Sequence, residues 1–519
     1  MNISLDIVDI SRVFVAKLIK IVYGEHKETG RTMIRCREEE QAILNKLLRS
    51  KKAEFLAVYG RRRIGKTFLI HEFFQNKGVY LKVTGTKEAP KSIQLKNFYR
   101  QMLSLFPNHS HKKTPTDWSD AFDLLYQEIL KLDPSVKFIL FLDELPWLAT
   151  SKSGLLPALD YFWNQHLSHM SNVLLIVCGS AAHWMIKKVV QNKGGLHGRL
   201  SAQVRLEAFN LSDSERFLKE SGIYLKRKQL IELYMAVGGV AKYLTFVPPG
   251  KSPAQVINEL CFTPSGPLFS EFTQLYASLF DSAEKHIAII RALAKKRKGM
   301  LLEELLKEVD LSSGGGSTEA LLELEEAGFI MTLPAFGKQT KERIYRLMDE
   351  YSFFYLSWVE GVKSSVLRNF DKEYWHKMCK TPAWNSWAGH TFENICLKHS
   401  GKIKEALGLS GITTHESHWQ YFASRKERGA EADLVIDRAD NCINLCEIKF
   451  CDKEFIITKA YAKDLERKKK VFQEMTGTRK TIFLTLITPF GLKENVHSIG
   501  IVDQQLTLNA LFGSKEASR

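Results

Sequence analysis

The sequence predicts an α/β protein of several domains, whose first half is built on a mostly parallel sheet. The chain has 519 residues, which is too long for a single hydrophobic core. Short apolar runs alternate with helical patterns in the first half, at residues 55–59, 79–83, 138–142, 173–177 and 202–206. Such alternation is typical of parallel strands that helices cover on both faces.

Composition and charge narrow the functional classes. Apolar residues make up 45% of the chain and charged residues 25%, as in ordinary globular proteins. Eight cysteines are scattered without a C-x-x-C pair, which favours the cytoplasm over a secreted disulfide scaffold. The net charge of +16 lies mostly in residues 1–280, and this favours an anionic partner such as DNA for that region.

The N-terminal segment predicts neither a membrane helix nor a signal peptide. Asp6, Asp9 and Arg12 interrupt its apolar stretch, so no uncharged run reaches the roughly 18 residues of a spanning helix. The pattern also lacks a positive charge ahead of the apolar stretch and small residues at its end. We therefore interpret residues 1–30 as an N-terminal extension and expect no membrane partner.

A phosphate-binding loop follows the first predicted strand. Residues 60–67 have the sequence GRRRIGKT and match the pattern G-x-x-x-x-G-K-[ST] at every fixed position. Gly60 and Gly65 permit a tight turn, whose backbone N–H groups point at phosphates together with the helix N-terminus. We expect Lys66 to contact the β- and γ-phosphates of ATP and the Thr67 hydroxyl to bind Mg²⁺.

Two acids end the third predicted strand. Residues 138–144 have the sequence FILFLDE, so an apolar strand leads to Asp143 and Glu144. We expect Asp143 to join Thr67 in binding Mg²⁺ and Glu144 to act as the base for the attacking water. With Lys66 as a further catalytic residue, the sequence predicts hydrolysis of ATP. The predicted ATP-binding residues are Gly60, Arg61, Arg62, Arg63, Ile64, Gly65, Lys66, Thr67, Phe68, Asp143 and Ser180.

Ser180 and Arg199 are further candidates for this site. Ser180 follows the fourth predicted strand, where its hydroxyl could sense the γ-phosphate; an ordinary strand-end turn is the alternative. Arg199 could stabilise transition-state charge as a catalytic residue, and an oligomer is expected if it acts on a neighbouring subunit. A solvent-exposed arginine is the alternative there. The arginines at 61–63 could equally be solvated or paired with acids.

These motifs together resemble the archaeal-type ATPases of the AAA+/STAND branch. The resemblance covers about residues 33–250 and rests on the segments 34–38, 60–67, 142–147, 178–180, 197–199 and 238–244. It implies a P-loop ATPase domain over residues 31–250. The family motif near the end of this domain has proline where the chain has Ala241.

A helical lid and a linker are predicted after the last strand of the sheet. The lid covers about residues 212–247 and should open with a capping-box-like pair, Ser212 and Glu215. Residues 251–280 are rich in proline and glycine in two short stretches, which is typical of a linker.

Residues 281–381 predict a winged helix and a connector. Three helical patterns precede two strand-like runs around a polar turn. The third helix, at 317–327, carries four glutamates and no basic residue. The phosphate backbone of DNA would repel these glutamates. Residues 295–298 are basic and could touch phosphates, but a solvated helix end explains them equally well. A structural role or contact with a protein partner is therefore favoured for this unit.

Residues 382–519 predict a second acidic site. Asp433 lies in one predicted strand, and Glu447 and Lys449 lie in the next. An antiparallel hairpin would bring the two acids side by side, and Glu393 from an upstream helix can add a third. Carboxylates and a lysine so placed can hold Mg²⁺ and orient a water toward a phosphodiester. A hairpin with surface charges is the alternative.

This constellation resembles the PD-(D/E)XK nuclease fold, a small restriction-endonuclease-like α/β domain. The resemblance implies metal ligation by Glu393, Asp433 and Glu447 and catalysis by Lys449, although related domains without shown activity are known. The leading hypothesis is an ATPase whose nucleotide state controls a nuclease-like domain acting on DNA. The rival is a nucleotide-dependent signalling switch that works through protein contacts, with a catalytically silent C-terminal domain.

Overall fold

The structure, a computed structural model, describes most of the chain. The described ranges are 34–108, 113–191, 198–280, 282–312, 314–338, 342–362, 374–422 and 428–513. The predicted extension at residues 1–30 lies outside them. Within these ranges no helix is both long enough and apolar enough to cross a membrane.

A five-stranded parallel sheet forms the first half, as the alternating pattern predicts. The strands have the order β2-β3-β4-β1-β5. They are β1 Glu54–Tyr59, β2 Val79–Thr84, β3 Phe138–Asp143, β4 Val173–Gly179 and β5 Ala202–Arg205. Every residue of β3 and β4 is buried, because a parallel sheet is covered on both faces. The carboxyl ends of β1, β3 and β4 consequently lie next to one another.

Helices on the two faces of this sheet enclose two separate hydrophobic cores. The helices are Glu38–Arg49, Lys66–Phe74, Lys91–Leu105, Trp118–Ile129, Leu145–Leu148, Leu155–Gln165 and Ala182–Met185. Alternate residues of β3 point to opposite faces, so Phe138 and Leu140 lie in one core and Ile139 and Phe141 in the other.

The lid consists of the helices Leu211–Glu220, Arg227–Val237 and Ala241–Leu244. The prediction that Ser212 and Glu215 form its opening cap is wrong. Asn210 is the N-cap instead, and its side-chain oxygen accepts the backbone N–H of Asp213 at 2.9 Å. Asparagine caps a helix at least as well as serine, so Ser212 falls inside the first turn.

Residues 251–280, predicted as a linker, form the helices Pro253–Cys261 and Glu271–Leu279. Ser252 and Gln255 make a capping box at the start of the first helix. Proline is compatible with the first helical position, so Pro253 begins a helix here and does not break one. Both helices are packed into the core through Val256, Ile257, Leu260, Phe272 and Leu275.

The next unit combines three helices with a small antiparallel sheet of order β6-β8-β7. The elements are Ala283–Lys295, β6 Met300–Leu301, Leu302–Glu308, Gly315–Glu326, β7 Ile330–Leu333 and β8 Ile344–Leu347. The third helix faces the ATPase region: Glu319 pairs with Lys187 at 2.7 Å, and Glu326 with Arg205 at 3.3 Å. Two of its acids are thus engaged by basic residues of the same chain.

A second five-stranded sheet forms the C-terminal region, with the order β13-β12-β11-β10-β9. The strands are β9 Thr414–Tyr421, β10 Ala430–Arg438, β11 Cys442–Ile448, β12 Thr481–Ile487 and β13 Gln504–Leu506. β9, β10 and β11 pair antiparallel, whereas β11, β12 and β13 pair parallel. Helix Pro382–Lys398 packs on one face and helix Lys459–Thr476 on the other.

One continuous core joins the lid to parts of every region that follows it. This core contains residues of the lid, of the helices in 251–280, of the three-stranded unit and of one face of the C-terminal sheet. The short helices Glu350–Phe354, Tyr374–Met378, Ser400–Ala406 and Leu508–Leu511 complete this part. We call the described residues from 251 to 513 the downstream body.

Candidate functional site

The phosphate loop wraps tightly at the end of β1. Gly60 has a φ of +140° and Gly65 one of +99°, which only glycine adopts without strain; a Cβ on Gly60 would lie 2.2 Å from the Leu206 carbonyl oxygen. Lys66 is buried, and its Nζ donates to the carbonyl oxygens of Gly60 and Arg61 at 2.9 and 2.7 Å. Burial lowers the pKa of Lys66, so an anion beside it would stabilise its charge.

Asp143 lies beside Thr67, the last residue of the phosphate loop. Thr67 Oγ1 donates to Asp143 Oδ1 at 3.0 Å, and Lys82 Nζ is 3.8 Å from Asp143 Oδ2. Asp143 is 2% exposed, and burial raises its pKa. Carboxylate and hydroxyl oxygens are ligands that Mg²⁺ prefers, and a cation would offset the cost of burying this carboxylate. The two residues therefore fit the predicted Mg²⁺ site.

Glu144 is held by the serine that the sequence singled out. Ser180 Oγ donates to Glu144 Oε1 at 2.6 Å, and the Ser180 backbone N–H donates to Oε2 at 3.1 Å. Glu144 also has a φ of +50°, a left-handed conformation that is uncommon outside glycine. Ser180 thus orients the predicted base, while its predicted contact with a γ-phosphate stays a prediction.

A cavity of about 820 Å³ opens beside Lys66, Thr67 and Glu144. One wall contains Arg62, Arg63, Ile64, Gly65, Lys66, Thr67, Phe68, Glu144 and Ser180. A second, aromatic wall comes from Phe209, Phe217 and Phe246, and a third from Pro267, Glu271 and Gln274. Sequence reasoning missed the last two walls, because no motif marks them and they meet only when the chain folds over the sheet.

The three arginines of the phosphate loop have three different partners. Arg62 lies over a tryptophan ring, with its Cζ 5.6 Å from the ring centroid. Arg63 forms an ion pair with Glu271, and Arg61 forms one with Asp349. Arg62 and Arg63 line the cavity, whereas the side chain of Arg61 is directed away from it.

Arg199 is exposed and does not line the cavity. Residues 192–197, which precede it in the same predicted motif, lie outside the described ranges. The catalytic role of Arg199 therefore stays a prediction.

The hairpin of β10 and β11 brings the C-terminal acids together. Its register pairs Leu434 with Cys446, so Asp433 and Glu447 occupy the next position. Lys449 Nζ is 3.4 Å from Asp433 Oδ2 and 3.4 Å from Glu447 Oε2. The three side chains thus meet at one end of the hairpin, as the alternation of side chains predicts.

Further basic groups contact Glu447 and Glu393. Lys468 Nζ is 2.6 Å from Glu447 Oε1, and Arg346 Nη2 is 3.3 Å from Glu393 Oε2. Burial, together with the charge of Asp433, raises the pKa of Glu447. Among the residues that the structure describes, no three His, Cys, Asp or Glu side chains are grouped to hold a metal ion. Metal ligation by Glu393, Asp433 and Glu447 and catalysis by Lys449 stay predictions.

Several known proteins are similar to this chain. An uncharacterized protein of Methanocaldococcus jannaschii is 26% identical over 445 residues, which are 84% of this chain and 91% of the relative. An uncharacterized ATP-binding protein of the same organism is 42% identical over 50 residues, which are 10% of this chain and 85% of the relative. A Walker-type ATPase of Pyrococcus abyssi has a TM-score of 0.45 at 16% identity, covering 64% of this chain and 99% of that chain.

The family comparison places the ATPase region. Residues 36–247 match the family described as an ATPase domain predominantly from Archaea. This range contains the phosphate loop, both acids at the end of β3, Ser180 and the lid. It ends before the segment 267–274, which supplies the third wall of the cavity. The chain therefore belongs to the archaeal-type ATPases and is a P-loop ATPase whose ATPase domain lies in residues 36–247.

Proposed function

We propose that this ATPase uses its nucleotide state to control a C-terminal, nuclease-like domain that acts on DNA. The observation that carries the proposal is the third wall of the cavity. Pro267, Glu271 and Gln274 lie beyond the family match and belong to the downstream body. A nucleotide that fills the cavity would contact the body that carries the second acidic site. A difference in contact between ATP and ADP can then shift the conformation of that body.

The placement of the loop residues supports ATP hydrolysis. Lys66 would bind phosphate oxygens, and Thr67 and Asp143 would hold Mg²⁺, which neutralises phosphate charge when bound. Glu144 would accept a proton from the attacking water, and the two hydrogen bonds from Ser180 would keep its carboxylate in one orientation. An oriented base and phosphates held in a fixed position are what hydrolysis requires of the protein.

The C-terminal acid pair supports a nuclease role. Asp433 and Glu447 would hold a divalent cation, which activates water when bound. Lys449, in contact with both acids, would bind the phosphate of the scissile bond. The resemblance to PD-(D/E)XK nucleases supports the same assignment.

One observation favours the rival function, a signalling switch. Helix Gly315–Glu326, the recognition helix of the proposed winged helix, is tied to the ATPase region through Lys187 and Arg205. A helix so placed is acidic and two of its acids are paired with basic residues of the same chain, so it does not suit the major groove of DNA. The winged helix would therefore transmit protein contacts, and any DNA would bind elsewhere.

Arg199 supports assembly into an oligomer within this proposal. Its side chain is exposed and outside the cavity of its own chain. We propose that it serves the ATP site of a second copy, where a guanidinium can stabilise transition-state charge.

Hydrolysis and cleavage assays on wild type, Glu144→Gln and Lys449→Ala, with and without double-stranded DNA, test the proposal. We expect DNA to stimulate ATP hydrolysis. In Glu144→Gln the rate of ATP hydrolysis should be lower by a factor of about 100 or more. Lys449→Ala should lose Mg²⁺-dependent cleavage and keep hydrolysis. Lys470→Ala, which changes an exposed lysine, is the matched control. If the rate of ATP hydrolysis is the same with and without DNA, and no DNA is cleaved in any nucleotide state, the nuclease role is contradicted and the signalling switch is favoured.

A further inference from the structure

A buried ion pair connects the phosphate loop with the downstream body. Arg61 Nη1 donates to Asp349 Oδ1, and the two residues are 288 positions apart in the chain. Arg61 is 7% exposed and Asp349 1%. The guanidinium also lies over the Phe329 ring, with its Cζ 4.7 Å from the centroid. The loop is thus tied to one end of the small antiparallel sheet, where Phe329 precedes β7 and Asp349 follows β8.

Hydrogen bonds from Ser352 fix the carboxylate of Asp349 in this ion pair. Asp349 caps helix Glu350–Phe354, and its Oδ2 accepts the backbone N–H and the hydroxyl of Ser352 at 2.9 and 2.5 Å. Burial acts to raise the pKa of Asp349, but Arg61 and Ser352 outweigh it and hold that pKa below its ordinary value. Asp349 is therefore a fixed anion to which the loop arginine is anchored.

The buried guanidinium of Arg61 is only partly hydrogen-bonded. Its Nε and Nη2 are buried and have no hydrogen-bond partner among the described residues. An incompletely paired buried arginine is poor evidence of a role in stability alone. The backbone of the same residue has a direct part in the ATP site, because the Arg61 carbonyl accepts Lys66 Nζ at 2.7 Å.

The residue after Asp349 extends the connection to the C-terminal region. Both carboxylate oxygens of Glu350 accept Lys398 Nζ, at 2.8 and 3.0 Å. Lys398 ends helix Pro382–Lys398, which packs on the C-terminal sheet. Glu350 also lies against the lid, since a Cβ on Gly238 would be 2.7 Å from its Oε2. Neighbouring acids thus contact the phosphate loop, the lid and the C-terminal region.

We propose that Asp349 is a positioning residue of the ATP site, which acts through Arg61 to hold the phosphate loop in its binding conformation. Through Glu350 and Lys398 the same short helix relays nucleotide occupancy to helix Pro382–Lys398. The relay rests on the proposed control of the C-terminal domain, whereas the positioning role does not. A loop that is held in advance binds the ground state and the transition state equally well, so its loss should raise KM and leave kcat nearly unchanged.

Asp349→Asn tests the positioning role, with Glu416→Gln as the control for losing an ion pair elsewhere in the downstream body. We expect the Kd of a fluorescent ATP analogue and the KM for ATP to rise about 10-fold in Asp349→Asn, with kcat within about 2-fold. Glu416→Gln should leave all three unchanged. Because Asp349→Asn leaves Arg61 buried without its anion, the double variant Arg61→Met/Asp349→Leu is made in parallel. Exchanging a whole buried pair for apolar residues is often tolerated, and we expect the same weak ATP binding from it.

Wild-type ATP affinity in the folded double variant would overturn the positioning role. The relay is read by hydrogen exchange: the ATP analogue should change protection of helix Pro382–Lys398 in wild type, and this change should disappear in Lys398→Met and in the double variant. A nucleotide effect on that helix that survives in both would overturn the relay. A wild type that binds ATP without hydrolysing it would contradict the proposed hydrolysis, yet the Kd comparison would still decide the role of Asp349.

Discussion

The ATP site and the C-terminal acid pair both bury carboxylates, but they balance charge in different ways. At the ATP site, Lys66 is held by two backbone carbonyls and Asp143 by a hydroxyl. At the C-terminal site, Lys449 lies between Asp433 and Glu447 at 3.4 Å from each, and a second lysine contacts the glutamate. Among the described residues of the ATP site, Lys66 has no carboxylate partner and Asp143 has only Lys82, 3.8 Å away, whereas at the C-terminal site two lysines are already paired with the acids.

This difference shows that a buried acid alone does not identify a ligand site. Separated charges of opposite sign suit a ligand such as Mg²⁺–ATP, which brings a partner for each of them. Paired charges are compensated by the chain itself, so an incoming cation must first displace a lysine ammonium. The comparison therefore predicts strong ligand dependence at the first site and competition between lysine and metal at the second.

The largest effect is expected from Lys66→Met. The buried ammonium would lose its charged hydrogen bonds to phosphate, each worth about 1.5–3 kcal/mol, so nucleotide affinity should fall about 100-fold or more. Lys449→Met should leave nucleotide affinity unchanged, since it removes a lysine from the other site. Titration of a fluorescent ATP analogue measures both. Equal affinities for the Lys66 variant and wild type would break the comparison.

The contact between the lid and the C-terminal region predicts a pH dependence of stability. The backbone N–H of Leu211 donates to His399 Nε2 at 3.2 Å, and burial lowers the pKa of His399 to about 4. Unfolded chains protonate histidine near 6.5. The free energy of unfolding should therefore fall by up to about 3 kcal/mol between pH 6.5 and pH 4 through this group. His399→Gln should lack that part of the loss in denaturant unfolding at several pH values; identical pH profiles would refute the assignment.

A smaller effect is expected from Ser180→Ala. The substitution removes the hydroxyl that donates to Glu144 at 2.6 Å and keeps the backbone donor. Loss of one hydrogen bond to a charged group costs about 1.5 kcal/mol or more, so kcat should fall about 10-fold while KM changes little. Steady-state hydrolysis measures this, with Ser168→Ala at an exposed serine as the control. A higher kcat would mean that Ser180 restrains the base.

The smallest effect is expected from Lys468→Met. This variant removes the ammonium that lies 2.6 Å from Glu447, so a divalent cation would have one competitor fewer. We expect Mn²⁺ to bind several-fold more tightly, by about 1 kcal/mol, in calorimetric titrations without nucleotide. Lys470→Met, at an exposed lysine of the same helix, should match wild type. Unchanged Mn²⁺ binding in Lys468→Met would argue against a metal site at Glu447.

Sequence reasoning succeeded where a function depends on neighbours in the chain. The phosphate loop and the strand that ends in Asp143 are recognisable because a tight glycine turn and a buried strand constrain consecutive residues. It failed at residues 251–280, where Pro253 begins a helix through the cap at Ser252. It also missed β9, β12 and β13, since their strand character depends on the partners beside them.

The sequence by itself determined the ATPase region, the pairing of Thr67 with Asp143 and the hairpin that joins Asp433 to Glu447. The hairpin follows from local backbone geometry and from the alternation of side chains along strands. The pairing of Thr67 with Asp143, 76 positions apart, is predictable because both belong to motifs that lie at the carboxyl ends of parallel strands. Only the tertiary structure decided that Arg61 is directed to Asp349 and away from the cavity. The physical reason is distance along the chain: residues 288 positions apart meet through the packing of whole elements, and no local pattern encodes which buried acid will face a given arginine.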